Sequence, residues 1–138
     1  MEAREIIMEH YMHPVNRKRM DNEEYVQANT RNESCIDNID LYVKFNNNVI
    51  EDITFDGEAC AISISSTSIM IKNLIGKTCR EALHYIHEFY KMTNEEEYDK
   101  SVLGDAYVYE DIVKNGHRKT CANLPLKGLE KAILEHLE

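Results

Sequence analysis

The sequence predicts an α+β fold. The seven-residue run 39–45 alternates apolar and polar side chains, three asparagines follow it, and 49–55 reads as its return strand, which is the pattern of a half-buried hairpin. Residues 79–90 place apolar side chains at helical spacing behind a capping box, and residues 126–137 repeat that spacing near the end of the chain. Strands and helices therefore coexist within 138 residues, a length that suits one domain.

The elements follow in order. Residues 3–12, AREIIMEHYM, carry Ile7, Met8 and Tyr11 and stop before Pro14, so a short helix ending near His13 is expected. The basic run NRKRM after it reads as a solvated loop, and EYVQANT (24–30) as a first strand. In 39–45 the period-two set is Ile39, Leu41, Val43 and Phe45; Asn46 to Asn48 turn the chain, and 49–55 return it as far as Asp56-Gly57. With Phe45 opposite Val49, Asp37 falls opposite Gly57 and Cys35 opposite residue 59, which brings Cys60 beside Cys35 and Asp37 at the open end of the hairpin.

Residues 61–76, AISISSTSIMIKNLIG, alternate like a strand at first, but their length and the Gly76 stop favour a helix. Thr78 and Glu81 form the T-x-x-E box of the next helix, whose apolar face holds Cys79, Ala82 or Leu83, Ile86 and Tyr90. The acidic TNEEEYDK reads as a loop or a solvated helix turn. The last helix is expected to start at Asn123 as N-cap, with Pro125 in its first turn and Leu126, Leu129, Ile133 and Leu137 as its stripe.

The formal net charge of -9 argues against nucleic acid and anionic membranes and is compatible with a basic protein partner. The chain shows no secretory leader pattern and no apolar run of membrane-spanning length, so a cytoplasmic protein is expected. In that compartment Cys35, Cys60, Cys79 and Cys121 are thiols rather than bridges, and no CxxC spacing marks a zinc ribbon. Cys60 and Cys121 are each expected just before a helix N-terminus, where unpaired N–H groups favour thiolate. With Cys35 and Asp37 they make three sulfurs and one oxygen, a set that suits tetrahedral Zn²⁺. The competing reading is that the cysteines are small buried hydrophobes and Asp37 a turn-former. Cys79, on an apolar stripe, is expected to pack; His84 and His87 are expected at the surface, His10 and His13 in structural roles. His117, four residues before Cys121, is positioned to replace a ligand.

Several blocks of the chain resemble the SufU and IscU group of iron–sulfur cluster assembly proteins, the NifU N-terminal-like family. They are IIMEHYMHPVNRK near the start, Cys35-x-Asp37, DGEACAISISST around Cys60 and RKTCANLP around Cys121. The resemblance implies a three-stranded antiparallel sheet packed against a layer of helices, the SufE/NifU-like fold, as a single domain over 1–138. It implies a site of Cys35, Asp37, Cys60 and Cys121. Within the group, the scaffold branch has histidine directly before the third cysteine and an upstream LPPVK motif; here Thr120 precedes Cys121 and no LPPVK occurs. The SufU branch has an insertion between the second and third cysteines and a basic residue three positions before the third. This chain has 61 positions from Cys60 to Cys121, and Arg118 at the basic position.

Membership of the SufU branch implies a zinc-dependent sulfur carrier, a sulfurtransferase acting with a SufS-like cysteine desulfurase and passing sulfur to downstream iron–sulfur assembly proteins. Cys35 is then the acceptor, Cys35, Asp37, Cys60 and Cys121 the zinc ligands, and Arg118 a supporting residue. The alternative within the family is a scaffold that builds a [2Fe-2S] cluster from iron on the same ligands. A further alternative is a binding module in which zinc only holds the fold. The chain departs from the family's pattern at Ile36 and Ala59, where glycine is usual. If either position needs a positive φ, the loop carries strain of about 1 kcal/mol or more.

Overall fold

The computed structural model describes residues 1–33 and 36–138. The elements are α1 (Ala3–Met12), β1 (Tyr25–Arg31), β2 (Asn38–Asn46), β3 (Val49–Glu58), α2 (Ala61–Leu74), α3 (Cys79–Thr93), the single turn α4 (Lys100–Leu103), 3-10 turns at Gly104–Tyr109 and Ile112–Lys114, and α5 (Gly116–Leu137). The strands form one antiparallel sheet in the order β1-β2-β3. Its inner face, with Ala28, Ile39, Leu41, Val43, Ile53 and Phe55, is buried in one core with α2, α3 and α5. The expected three-stranded sheet against helices is what forms.

The β2–β3 register differs from expectation. Asn47 takes φ 55°, a left-handed conformation that asparagine tolerates, so the hairpin closes over two residues and pairs Asn46 with Val49. An irregularity between Lys44 and Phe45 then shifts the pairing again, leaving Lys44 opposite Asp52 and Ile39 opposite Gly57. Asp37 is therefore not opposite Gly57, and Phe45 faces Ile50 rather than Val49. The combined slip is an even number of residues, so every side chain keeps its face. The expected pairing of Cys35 lies outside the described residues.

Gly57 is needed where it stands. Its φ is 139°, and a Cβ there would lie 2.1 Å from the carbonyl oxygen of Asn38. The basic segment expected as a loop is partly structured: Arg17 bridges to Phe55, and its guanidinium donates to the Gly57 carbonyl at 2.6 Å, covering part of the β3 edge.

Helix α2 is the centre of the helical layer, with ten of its fourteen residues buried, so it has no solvated face for a moment to reveal. Its small hydroxyl residues let α1 and α5 approach closely and bond to them. Ser66 donates to the Ala122 carbonyl at 2.7 Å, Ser65 pairs with the Tyr109 hydroxyl, and Ser68 accepts from the Val15 N–H while meeting His10 Nδ1 at 2.7 Å. Helix α3 begins as expected: Thr78 and Glu81 make both bonds of the capping box.

Helix α5 does not begin where the sequence predicts. Asn115 is the N-cap, its side chain accepting from the N–H of His117 at 3.0 Å, and Asn123 lies inside the helix. Pro125 is thus a helix-interior proline. Because proline has no N–H, the carbonyl four residues earlier, that of Cys121, has no helical donor. Ser63 of α2 supplies one, its hydroxyl lying 3.0 Å from that oxygen. Cys121 consequently sits in the second turn of α5 rather than ahead of it.

Candidate metal centre

Three elements converge at the sheet's end nearest the start of α2. Asp37 lies immediately before β2, in a loop closed by the Asn32 N–H donating to the Asp37 carbonyl at 3.0 Å. Cys60 is the N-cap of α2, as expected, and its backbone N–H donates to Asp37 Oδ1 at 2.7 Å. Cys121 comes from α5, held against α2 by Ser63 and Ser66. One carboxylate oxygen and the two sulfurs lie within 4.8 Å of one another. Asp37 and Cys121 are each 1 % exposed, while Cys60 is half-buried.

The bonding inside this group is dense. Ser63 Oγ donates to Asp37 Oδ2 at 2.8 Å, and the Cys60 thiol lies 3.6 Å from both Asp37 Oδ2 and Ser63 Oγ. Burial pushes the Asp37 carboxyl up, but hydrogen bonds from the Cys60 N–H, the Ser63 hydroxyl and the thiols of Cys121 and Cys60 outweigh it and hold the group below the usual carboxylate range. Burial also pushes the Cys121 thiol well above its ordinary value, reinforced by its bonds to Asp37 and Cys60 and by their charges. Three anionic donors this close in a largely buried site would repel one another unless a proton or a cation lay among them. The S, S, O donor set is one that zinc accepts.

Of the residues singled out from the sequence, Asp37, Cys60 and Cys121 are brought together; Cys35 lies outside the described residues. Arg118 is exposed in the first turn of α5, one turn before Cys121. His117 lies on the same helix with Nε2 4.0 Å from Cys121 Sγ. His84 and His87 are exposed, as expected, and Cys79 is buried away from the group, with burial raising its thiol. His10 is structural, packed on Ser68. Ala59 takes no positive φ, so the strain expected for a replaced glycine is absent there; the backbone that would decide it for Ile36 involves residue 35, which lies outside the described residues. Ile36 is instead 72 % exposed at the lip of the site.

Ser63 went unnoticed in the sequence, and Pro125 was placed in a first turn rather than inside the helix. The serine's position, one helical turn after an N-cap cysteine, was the available signal. Beside Asp37 opens a cleft of about 520 Å³ lined by Arg19, Arg31, Ile36, Asp37 and Glu58 among others.

Comparisons with known proteins agree with this architecture. The profile of the NifU-like N terminal domain matches residues 2–122. The chain is 37% identical over 131 residues to the zinc-dependent sulfurtransferase SufU of Bacillus subtilis (strain 168), covering 94% of this chain and 88% of that one. It is 36% identical over 129 residues to the iron-sulfur cluster assembly scaffold protein IscU of Streptococcus pyogenes serotype M1, covering 93% and 80%. A crystal structure described as a putative iron-sulfur cluster assembly scaffold protein for the SUF system from Fervidobacterium islandicum AW-1 superposes with a TM-score of 0.89 at 35% identity over 94% of both chains. A NifU-like N-terminal protein of Brucella abortus shares the fold at a TM-score of 0.85 and 19% identity. With its sheet, its helical layer and its Asp37–Cys60–Cys121 group, the chain belongs to the NifU-like N-terminal domain family of iron–sulfur cluster assembly proteins.

Proposed function

We propose that this protein is a zinc-dependent sulfur carrier that accepts persulfide sulfur from a cysteine desulfurase and delivers it to downstream iron–sulfur assembly proteins. The observation that carries the proposal is the buried oxygen and two sulfurs of Asp37, Cys60 and Cys121 within 4.8 Å, one donor short of a tetrahedral set. Cys35, next but one to Asp37, is the fourth. The reading is supported by the name of the Bacillus subtilis relative and by Thr120 standing directly before Cys121, where the scaffold branch has histidine.

When bound, zinc keeps its cysteine ligands deprotonated at neutral pH. The protein's own residues divide the work. Asp37, Cys60 and Cys121 hold the centre while the Cys35 thiolate attacks the terminal sulfur of the partner's persulfide. A new S–S bond forms on Cys35 as the old one breaks, and the electron pair leaves with the partner's cysteine as thiolate. Arg118, exposed near Cys121, supports the incoming anion. The acidic surface suits a basic docking face on the desulfurase.

Two measurements test this: the metal content of protein purified without added metal, and the desulfurase turnover that the protein stimulates. About one zinc per chain with turnover stimulated by wild type and abolished in Cys35→Ser is expected. Sulfur acceptance at the normal rate by Cys35→Ser overturns the acceptor assignment. Iron with sulfide and no stimulation instead identifies a [2Fe-2S] scaffold.

A further inference from the structure

We infer that the centre carries a redox switch: in the metal-free chain a peroxide joins Cys60 to Cys121 as a disulfide, which withdraws both sulfurs from metal binding until a thiol reductant restores them. The regulatory half of this inference rests on the zinc reading above; the bond itself does not.

Three observations carry it. The sulfurs of Cys60 and Cys121 lie within 4.8 Å of one another, and both are free thiols. Rotation of the two side chains, each able to carry its sulfur by roughly 3 Å, closes that gap to the bonding distance of about 2 Å. Their exposure is unequal: Cys60 is half-buried at the N-cap of α2, within reach of a small oxidant, whereas Cys121 is 1 % exposed. That asymmetry divides the roles, with Cys60 meeting the peroxide and Cys121 resolving the product. Finally, Ser63 and Ser66 bond from α2 to the Cys121 and Ala122 carbonyls of α5, so the helices that present the two sulfurs are held together by contacts that need no metal. Cys79 is the contrast, buried and outside the group.

Each step balances. The Cys60 sulfur attacks one peroxide oxygen; an S–O bond forms as the O–O bond breaks, and the departing hydroxide takes the thiol proton and leaves as water. The Cys121 sulfur then attacks the Cys60 sulfur. An S–S bond forms as the S–O bond breaks, and the second hydroxide leaves as water with the Cys121 proton. The two thiols lose two electrons in all, and one peroxide is reduced to two waters. Sulfur lone pairs engaged by a bound cation are not free for the first attack, so the zinc-loaded chain is protected.

The test is non-reducing peptide mapping by mass spectrometry of the full chain, stripped of metal with EDTA and treated with one equivalent of hydrogen peroxide. A link between the peptides that carry Cys60 and Cys121, lighter by two hydrogens than the separate pair, is expected as the main product in wild type and in Cys35→Ser alike. In Cys35→Ser/Cys121→Ser, Cys60 has no resolving thiol and is expected to carry added oxygen instead. A wild-type product in which Cys35 is the main partner of either cysteine overturns the inference, as does oxygen on Cys60 without a link while Cys121 is present. Preloading with zinc is expected to slow the link on the order of tenfold, and dithiothreitol to restore the zinc uptake that oxidation removes. Equal rates with and without zinc overturn the switch and leave the proposed function standing. If the chain takes up no zinc, the zinc reading fails and the regulatory half with it, while the mapping of metal-free protein still decides the bond.

Discussion

Replacing Ser63 by alanine tests how the centre is built. Its hydroxyl has one proton and two buried acceptors, Asp37 Oδ2 at 2.8 Å and the Cys121 carbonyl at 3.0 Å, the latter without a helical donor because residue 125 is proline. Alanine leaves a buried carbonyl unsatisfied, a loss of about 1–3 kcal/mol, and removes a bond to a charged carboxylate worth about 1.5–3 kcal/mol. Since one proton cannot fully serve both, the expected loss is roughly 2–3 kcal/mol rather than the sum. Pro125→Ala restores an N–H opposite the Cys121 oxygen, so Ser63→Ala in that background should cost about 1 kcal/mol less. Urea unfolding of the four proteins, followed by far-UV circular dichroism in EDTA, measures this without interference from metal. With an urea m-value of about 2 kcal/mol/M, Ser63→Ala alone should move the midpoint by about 1 M. A loss below about 0.5 kcal/mol, or the same loss with and without Pro125, refutes the argument that this serine satisfies the carbonyl the proline frees.

Gly57→Ala places a Cβ 2.1 Å from the Asn38 carbonyl in a φ of 139° and should cost about 3 kcal/mol or more, along with metal retention, because the strand end it opens leads to Asp37 and Cys60; a variant within 1 kcal/mol of wild type in urea contradicts this. Burial, then the charge of Lys72, lowers the His10 pKa from 6.5 against the opposing pull of Asp105 and Glu9. The unfolded chain therefore binds the proton first, and stability is lost as pH falls from 6.5 toward the folded value. Unfolding midpoints of wild type and His10→Asn from about pH 7.5 to 5 should diverge in that window, and parallel curves would count against it. Cys79, 1 % exposed with a raised thiol, should resist iodoacetamide until the protein unfolds while half-buried Cys60 reacts in metal-free protein; prompt native labelling of Cys79 would contradict the packing role.

What was legible in the sequence is what local physics decides. The alternation of Ile39, Leu41 and Val43 gave their strand and its buried face. Thr78 and Glu81 marked the start of α3, and the run to Gly76 placed Cys60 at the mouth of α2. The hairpin register was not legible, because it depends on Asn47 adopting a positive φ and on one irregularity in pairing. The start of α5 was misread for a related reason. Pro125 is the usual mark of a first turn, yet tertiary partners outweigh that preference here, since hydroxyls from α2 and β1 satisfy the carbonyls of Cys121, Ala122 and Leu124.

That misreading bears on the chemistry. With the last helix starting at Asn123, Cys121 would sit on a loop and its sulfur would owe its place to local turn geometry. In the observed helix its place depends instead on how α5 packs on α2, through Ser63 and Ser66, and on β1, through Thr30. Asp37 and Cys60 are joined directly, by the Cys60 N–H and thiol on the Asp37 carboxylate at the end of the sheet, without α5. The centre is therefore half local and half tertiary, and a cation bound there would tie α5 to the β2–β3 end in the folded chain alone. Binding of that kind adds to stability by mass action, about 4 kcal/mol at a thousandfold excess over Kd. Its loss should fall on the packing of α5 before the hairpin, because the hairpin keeps its ladder while the Cys121 segment of α5 is tied to α2 and β1 by the hydroxyls of Ser63, Ser66 and Thr30.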